Sequence, residues 1–231
     1  MIDFYYSPTP NGWKIAIMLA ETELSHKTIL MDITEGDQFT PEFLRINPNG
    51  KIPAIVDHAG VDSATSVFES GAILTYLAQK TGRFGPTTSQ ERKDTSEWLF
   101  WQASNQGPMA GQLSHFVNYA PGGQDYSYQR YKGEFERTLA VLETRLADRS
   151  YISGDYSITD MMCFPWVFIA KPLGVSLGAF PRVAAWRGRI KQRPAVRTAI
   201  DLHKNAQFSK TSNAESNSIL FNQTANHLVQ K

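Results

Sequence analysis

Three short stretches carry residue types suited to holding a charged ligand. The first is Thr9-Pro10-Asn11-Gly12, which follows the apolar, aromatic run Ile2 to Tyr6. Thr9 has the position and chemistry of a helix N-cap, its side-chain oxygen accepting from an early backbone N–H. Pro10 suits the first helical position, where its missing N–H costs nothing. Asn11 and Gly12 then fall in the first turn, and the helix continues through Trp13 to Glu21. A hydroxyl, a side-chain amide and unpaired backbone N–H groups thus meet at one positive helix end. Such an end favours an anion, and a thiolate is one candidate. An ordinary capped helix after a strand has the same pattern, so the downstream stretches decide. The second is Lys51-Ile52-Pro53, the start of a strand running to Asp57. A proline there blocks ladder pairing and leaves that backbone free to pair with something else. The third is Glu69-Ser70, which opens a helix over Gly71 to Lys80 and offers a carboxylate, a hydroxyl and a second anion-favouring terminus.

The elements that must position these stretches follow from pattern and punctuation. Ile2–Tyr6 and Lys27–Met31 read as strands, with a polar loop over Asp32–Gln38. Thr40-Pro41 caps a short helix, and Asn47-Pro48-Asn49-Gly50 is turn punctuation before the Lys51–Asp57 strand. His58–Thr65 is a polar turn and Ser66–Phe68 a short strand. The order strand, helix, strand, helix, strand, strand, helix predicts a small α/β layer over residues 1–80. Residues 81–88 have linker composition, and no strand is predicted from Ser89 onward. Helices are expected over Glu91–Gln102, bent or broken at Gly107-Pro108 and resuming to Tyr119. A loop at Pro121-Gly122-Gly123 precedes a long helix over Tyr126–Arg149. Ser157-Ile158-Thr159-Asp160 resembles a capping box with Asp in place of Glu, and Pro165 lies inside the helix it opens. Phe180–Lys191 and Ala195–Lys204 complete an all-helical region over 89–204. Residues 205–231 form a polar tail whose apolar patch, Ile219-Leu220-Phe221, is its candidate docking point.

Composition excludes several classes. With 231 residues, 42% hydrophobic and 19% charged, the chain is long enough for a real core and unlike a disordered one. The formal net charge of +1 gives no global field toward nucleic acid or an acidic membrane. Metal spacings and phosphate-loop motifs are lacking, and no run reaches the roughly 20 apolar residues of a membrane span. The single cysteine, Cys163, rules out an internal disulfide and a Cys-x-x-Cys pair. With no secretory pattern at the N-terminus, a reducing cytoplasm is the expected compartment. Cys163 itself lies in an apolar helical run and reads as a small core residue.

A thiol, an α-amino group and two carboxylates in one peptide would satisfy all three stretches, and glutathione is such a molecule. The sequence resembles the cytosolic glutathione transferases, and within them the bacterial Nu class, related to fungal nitrogen-regulation proteins. The resemblance rests on Tyr5–Gly12, Gln38–Phe43, Asn47–Asp57, Phe68–Leu74, Gly107–Gln112 and Ser157–Asp160, and covers roughly residues 1–204. It implies a thioredoxin-like domain at 1–80 and a helical domain with a second-substrate pocket at 89–204. Thr9 and Asn11 would lie at the glutathione sulfur as catalytic groups. Gln38 and Lys51 would reach its backbone or glycyl end. Ile52 would pair with the cysteinyl backbone beside a cis Pro53. Glu69 would hold the α-amino group and Ser70 the γ-glutamyl carboxylate, with Arg130 a further cationic contact. No metal is implied, and a homodimer is.

Each of these residues also has a plainer reading. Glu69 and Ser70 serve any helix start, Pro53 any strand start, Gln38 any loop, and Arg130 any solvated helix face. Ser7 is the rival to Thr9, while Tyr5 and Tyr6 read as core or wall. Trp98, Trp101, Trp166 and Trp186 read as core; His115-Phe116 suits either pocket or packing. Two stretches depart from the class. Ala103-Ser104-Asn105-Gln106 replaces a segment that often carries two glycines, and Ser114-His115 stands where a His-His pair is common. Both put the second substrate in doubt rather than glutathione. The implied activity is glutathione transfer with glutathione-dependent disulfide reduction, acting on a small disulfide or electrophile. The alternative is a non-catalytic glutathione-binding regulatory protein on the same fold.

Overall fold

Local chemistry sets the start of almost every element. The computed structural model describes residues 1–59, 64–120, 122–204, 206, 214–221, 224 and 228. The expected turn at His58–Thr65 and loop at Pro121–Gly123 therefore lie partly outside the described residues, as does much of the tail. Two compact units are formed, one of Met1–Tyr76 with Thr198–Lys231 and one of Leu77–Arg197.

In the first unit, strands β1 (Ile2–Tyr6) and β2 (His26–Leu30) pair in parallel. Strands β3 (Ala54–Asp57) and β4 (Thr65–Phe68) add antiparallel, giving the order β2-β1-β3-β4. This mixed four-stranded sheet is thioredoxin-like. Helix α1 (Pro10–Thr22) connects β1 to β2, and Ile15, Leu19, Phe4 and Ile55 are fully buried between helix and sheet. Helix α2 (Pro41–Ile46) starts at the Thr40 cap, and α3 (Ser70–Thr81) follows β4 directly. The register places Tyr5 opposite Ala54 and Ala54 opposite Phe68. The end of β1, the start of β3 and the end of β4 therefore lie side by side at one end of the sheet.

Two details differ from the sequence expectation. The third strand begins at Ala54 rather than Lys51, because Pro53 has no N–H for the ladder and the Lys51 carbonyl accepts from Asn47 Nδ2 at 2.6 Å. The polar loop over 32–38 runs into a 3-10 turn at Asp37–Phe39. The tail contributes helix α10 (Ala214–Phe221) to this unit. A Cβ on Gly36 would lie 3.8 Å from Ile219 Cγ2, and one on Gly50 would meet Leu228 and Phe39 at 3.2 Å. Ile219 of the tail thus lies against the Gly36 turn before the 3-10 segment, and Leu228 against the Gly50 turn before β3.

The second unit is helical. Helix α4 (Ser89–Trp101) opens with a capping box in which Thr88 Oγ1 accepts from Glu91 N at 3.1 Å and Glu91 Oε2 from Thr88 N at 3.2 Å. The expected break before Gly107-Pro108 is a π-helical segment over 102–106, joining α4 to α5 (Gly107–Asn118). A proline without an N–H leaves the ladder short of a donor there, a common origin of such widening. Helix α6 (Asp125–Arg145) ends sooner than the expected Arg149. Helices α7 (Ile158–Phe168), α8 (Pro181–Lys191) and α9 (Pro194–Asp201) follow.

Asp160 is the fully buried acid of this second unit. It accepts from Trp186 Nε1 at 2.8 Å, Ile152 N at 3.0 Å and Ser157 N at 3.0 Å, tying the loop before α7 to α8. Burial outweighs these donors and pushes its carboxyl up to about 6. The folded protein therefore favours the neutral acid. The stability this supplies is complete below the ordinary carboxylate range and is lost as pH rises through about 6. Denaturant unfolding of the full chain between pH 4 and pH 7 should show this decline. Asp160→Asn should remove that component, and it should cost about 1–3 kcal/mol by setting an amide donor against the Ser157 N–H.

Candidate functional site

The β1–α1 junction is shaped by a close approach. Thr9 is extended at φ −122° and ψ 163°, and its Oγ1 accepts from Gly12 N at 3.2 Å. A hydroxyl that accepts at the cap keeps its own proton to donate outward. Thr9 N donates to the Ser7 carbonyl at 2.7 Å, folding the chain back before the helix begins. A Cβ on Gly12 would stand 2.3 Å from that same carbonyl oxygen and 2.9 Å from the Tyr6 ring. Only glycine lets the first turn settle this near β1. Asn11 is half-buried beside Thr9. Tyr6 is fully buried and donates its hydroxyl to the Leu202 carbonyl at 3.1 Å. Desolvation pushes its phenol up to about 12, a core role as expected. Tyr5 packs its ring on Phe43 at 5.5 Å between centroids. Ser7 is buried, 2% exposed.

The second stretch is held by its turn. Asn49 N donates to Asn47 Oδ1 at 2.9 Å, and Gly50 takes the left-handed conformation at φ 61°. Lys51 is exposed, Ile52 half-buried and Pro53 buried, with a cis Ile52–Pro53 bond. Gln38 is 3% exposed and donates Nε2 to the Ile33 carbonyl at 3.0 Å. Its Oε1 has no partner among the described residues.

The third stretch carries backbone strain. Glu69 sits at φ 65°, a left-handed conformation costly for a side chain, while its carbonyl accepts from Ile73 N at 2.9 Å. The carboxylate side chain is exposed, beside the N-terminus of α3. Ser70 is 8% exposed, and its Oγ accepts from Lys14 Nζ at 3.2 Å. No motif in the sequence assigns Lys14 a role. Its signal was a lysine inside a helix whose neighbours Ile15 to Leu19 are all buried.

Thr9, Asn11, Ile52, Pro53, Glu69 and Ser70 thus flank the one end of the sheet where β1 ends, β3 begins and β4 ends. Arg130 belongs to the second unit, on α6, where it pairs with Glu134 at 2.9 Å and is largely exposed. In the same unit Phe116 stacks on Tyr131 at 5.5 Å, and His115 meets Phe116 edge-on at 5.4 Å. Trp186 is fully buried, and Cys163 is likewise fully buried. Among the described residues no cluster of three or more His, Cys, Asp or Glu is arranged to hold a metal ion. No described helix is long and apolar enough to cross a membrane.

Comparison with known proteins identifies this arrangement. Residues 2–79 match the glutathione S-transferase N-terminal domain, and residues 125–189 match the glutathione S-transferase C-terminal domain. The disulfide-bond oxidoreductase YfcG of Escherichia coli is 48% identical over 203 residues, covering 87% of this chain and 94% of its own.

The chain belongs to the glutathione S-transferase family.

Among solved structures, a glutathione transferase from Burkholderia graminis with two glutathione molecules bound per subunit superposes with a TM-score of 0.82. It is 43% identical, and the match covers 88% of each chain. The transferase URE2P6 from Phanerochaete chrysosporium, in complex with oxidized glutathione, also gives 0.82 at 33% identity, over 89% of this chain and 97% of its own. These neighbours fit the Nu-class resemblance and its link to the fungal proteins.

Two substitutions test the geometry. Gly12→Ala forces the first turn of α1 off the Ser7 carbonyl, and should lower stability by about 1–3 kcal/mol or more in denaturant unfolding. An unchanged midpoint would mean the turn relaxes freely. Glu69→Gly relieves the left-handed strain and should leave stability unchanged or raise it by about 1 kcal/mol.

Proposed function

We propose that this protein is a glutathione transferase with glutathione-dependent disulfide reductase activity, with the glutathione thiolate as nucleophile. The observation that carries the reading is the capped start of α1, with Thr9 and Asn11 at the sheet end that also bears Ile52, Glu69 and Ser70. The family membership and relatives with glutathione or its disulfide bound support it.

In this reading Thr9 and Asn11 donate to the sulfur, and the α1 N-terminus adds its positive end. A thiol near 8.5 when free is thereby drawn toward the thiolate at neutral pH. Ile52 pairs its backbone with the cysteinyl residue beside Pro53, Gln38 and Lys51 serve the peptide backbone or the glycyl end, Glu69 takes the α-amino group and Ser70 the γ-glutamyl carboxylate. Arg130 adds a cation from the helical domain. The thiolate attacks one sulfur of a small disulfide, forming a mixed disulfide and releasing the other sulfur as a thiolate. A second glutathione thiolate then attacks the glutathione sulfur of the mixed disulfide, giving glutathione disulfide and the second product thiol. Cys163, the single cysteine, is fully buried, so both nucleophiles come from glutathione. Residues 1–80 supply the glutathione-binding domain, 89–204 the second-substrate domain, and the working form is a cytoplasmic homodimer.

The test is the rate of glutathione-dependent reduction of 2-hydroxyethyl disulfide by wild type, Thr9→Ala and Asn11→Ala. Losing a donor to a thiolate should cost about 1.5–3 kcal/mol, a fall of roughly ten- to a hundredfold. Unchanged rates in both variants would move the sulfur to another hydroxyl, Ser7 first. Tight glutathione binding with no turnover in wild type would make this a binding protein instead.

A further inference from the structure

We infer that the helical unit carries a binding site for an amphipathic carboxylate. The ligand's apolar body lies in a cavity between the end of α7 and α8, and its charge is met by Arg187 and Lys171.

The cavity has a volume of about 420 Å3, within the roughly 300–1,000 Å3 of small-molecule sites. All of its lining residues lie between positions 167 and 187, inside the helical unit. A tight turn builds it. After α7, Gly174 N donates to the Lys171 carbonyl at 3.0 Å and Val175 N to the Ala170 carbonyl at 3.0 Å. Gly174 takes the left-handed conformation at φ 75°, and a Cβ there would also stand 3.0 Å from the Tyr128 hydroxyl. Glycine serves both needs. The turn sets Val175 and Leu177 on the same cavity as Val167 and Ala170, and together they make an aliphatic wall.

Charge in the cavity has one sign. Arg187 and Lys171 line it, and no Asp or Glu does. Lys171 is exposed and Arg187 half-buried. Arg187 Nη2 donates to the Phe168 carbonyl at 3.0 Å, and the guanidinium lies over the Phe168 ring at 5.2 Å. Those contacts fix the head group at the end of α7, while Nε is buried with no hydrogen-bond partner among the described residues. No carboxylate among the described residues pairs with either cation. Burial draws the Arg187 guanidinium below its ordinary range, yet it stays charged at neutral pH. A partly desolvated cation held in a fixed plane without a counter-charge favours a carboxylate as its partner. An inorganic anion would use the charge and leave the aliphatic wall wet. A neutral apolar molecule would do the reverse. A carboxylate on a hydrocarbon chain uses both.

Octanoate, octan-1-ol and acetate separate the two contributions. Each is titrated calorimetrically into full-length wild type, Arg187→Met, Arg187→Lys and Leu177→Trp. Wild type is expected to bind octanoate about tenfold or more tighter than octan-1-ol, and about a hundredfold or more tighter than acetate. Arg187→Met keeps the bulk of the stem and should bring octanoate to within about threefold of octan-1-ol, without weakening the alcohol. Arg187→Lys should restore part of the preference. Leu177→Trp fills the cavity from its half-buried wall and should weaken both eight-carbon probes about tenfold or more. A wild type that binds no octanoate, or binds octanoate and octan-1-ol alike, would overturn the inference. So would a full wild-type preference in Arg187→Met or unchanged binding in Leu177→Trp, either of which puts the probe elsewhere on the protein. Equal weakening of both eight-carbon probes in Arg187→Met would reduce Arg187 to a packing residue on Phe168 and overturn it as well. Should Arg187→Met not fold, Lys171→Glu on the exposed rim is read in its place: octanoate should weaken about threefold or more with octan-1-ol unchanged, and no change in octanoate would overturn the inference.

Discussion

The first unit depends on how near α1 can come to the end of β1. At Gly12 the helix passes so close to the Ser7 carbonyl that a single added carbon would stand at 2.3 Å. That closeness fixes the helix axis, and the axis in turn sets what each side chain on α1 can reach. Thr9 caps at the sheet end, and Lys14 extends to the start of α3. A looser junction would keep the fold and lose the register between the two helix starts. The site is thus a property of one backbone contact more than of any single side chain.

The two units bury polar groups for different ends. In the helical unit Asp160 gathers three N–H donors and binds a loop to a helix, a local fastening internal to that unit. In the first unit Lys14 and Ser70 are buried against each other at the end of the sheet, next to a strained Glu69. Strain and buried charge concentrated at one place, with well-packed apolar core elsewhere, is the pattern expected where structure has been given up for recognition.

What was readable in the sequence was what acts over a few residues. Thr9-Pro10, Thr40-Pro41 and Ser157 with Asp160 announce helix starts by side-chain chemistry alone, and each is a cap in the structure. The Ile52–Pro53 stretch and the Glu69-Ser70 start were legible for the same reason. The partner of Lys14 was not, because 56 positions separate it from Ser70. Nor was the π-helical segment at 102–106: a Gly-Pro pair signals a disturbance without saying which form it takes. The tail's apolar patch reads as a docking point, but the surface that Ile219 meets, the Gly36 turn far back in the chain, does not show in the sequence.

The hydroxyl of Tyr6 has its acceptor at Leu202, 196 positions later. The chain therefore begins and ends in the same unit, with the helical unit inserted between. During synthesis β1 and α1 emerge first, yet the acceptor for that buried phenol is made only after the whole helical unit has been translated. Until then the Tyr6 hydroxyl lacks its Leu202 acceptor, and the turns at Gly36 and Gly50 lack Ile219 and Leu228 beside them. The fragment before the linker thus takes its last pieces from residues beyond 197, at the far side of the helical unit in sequence.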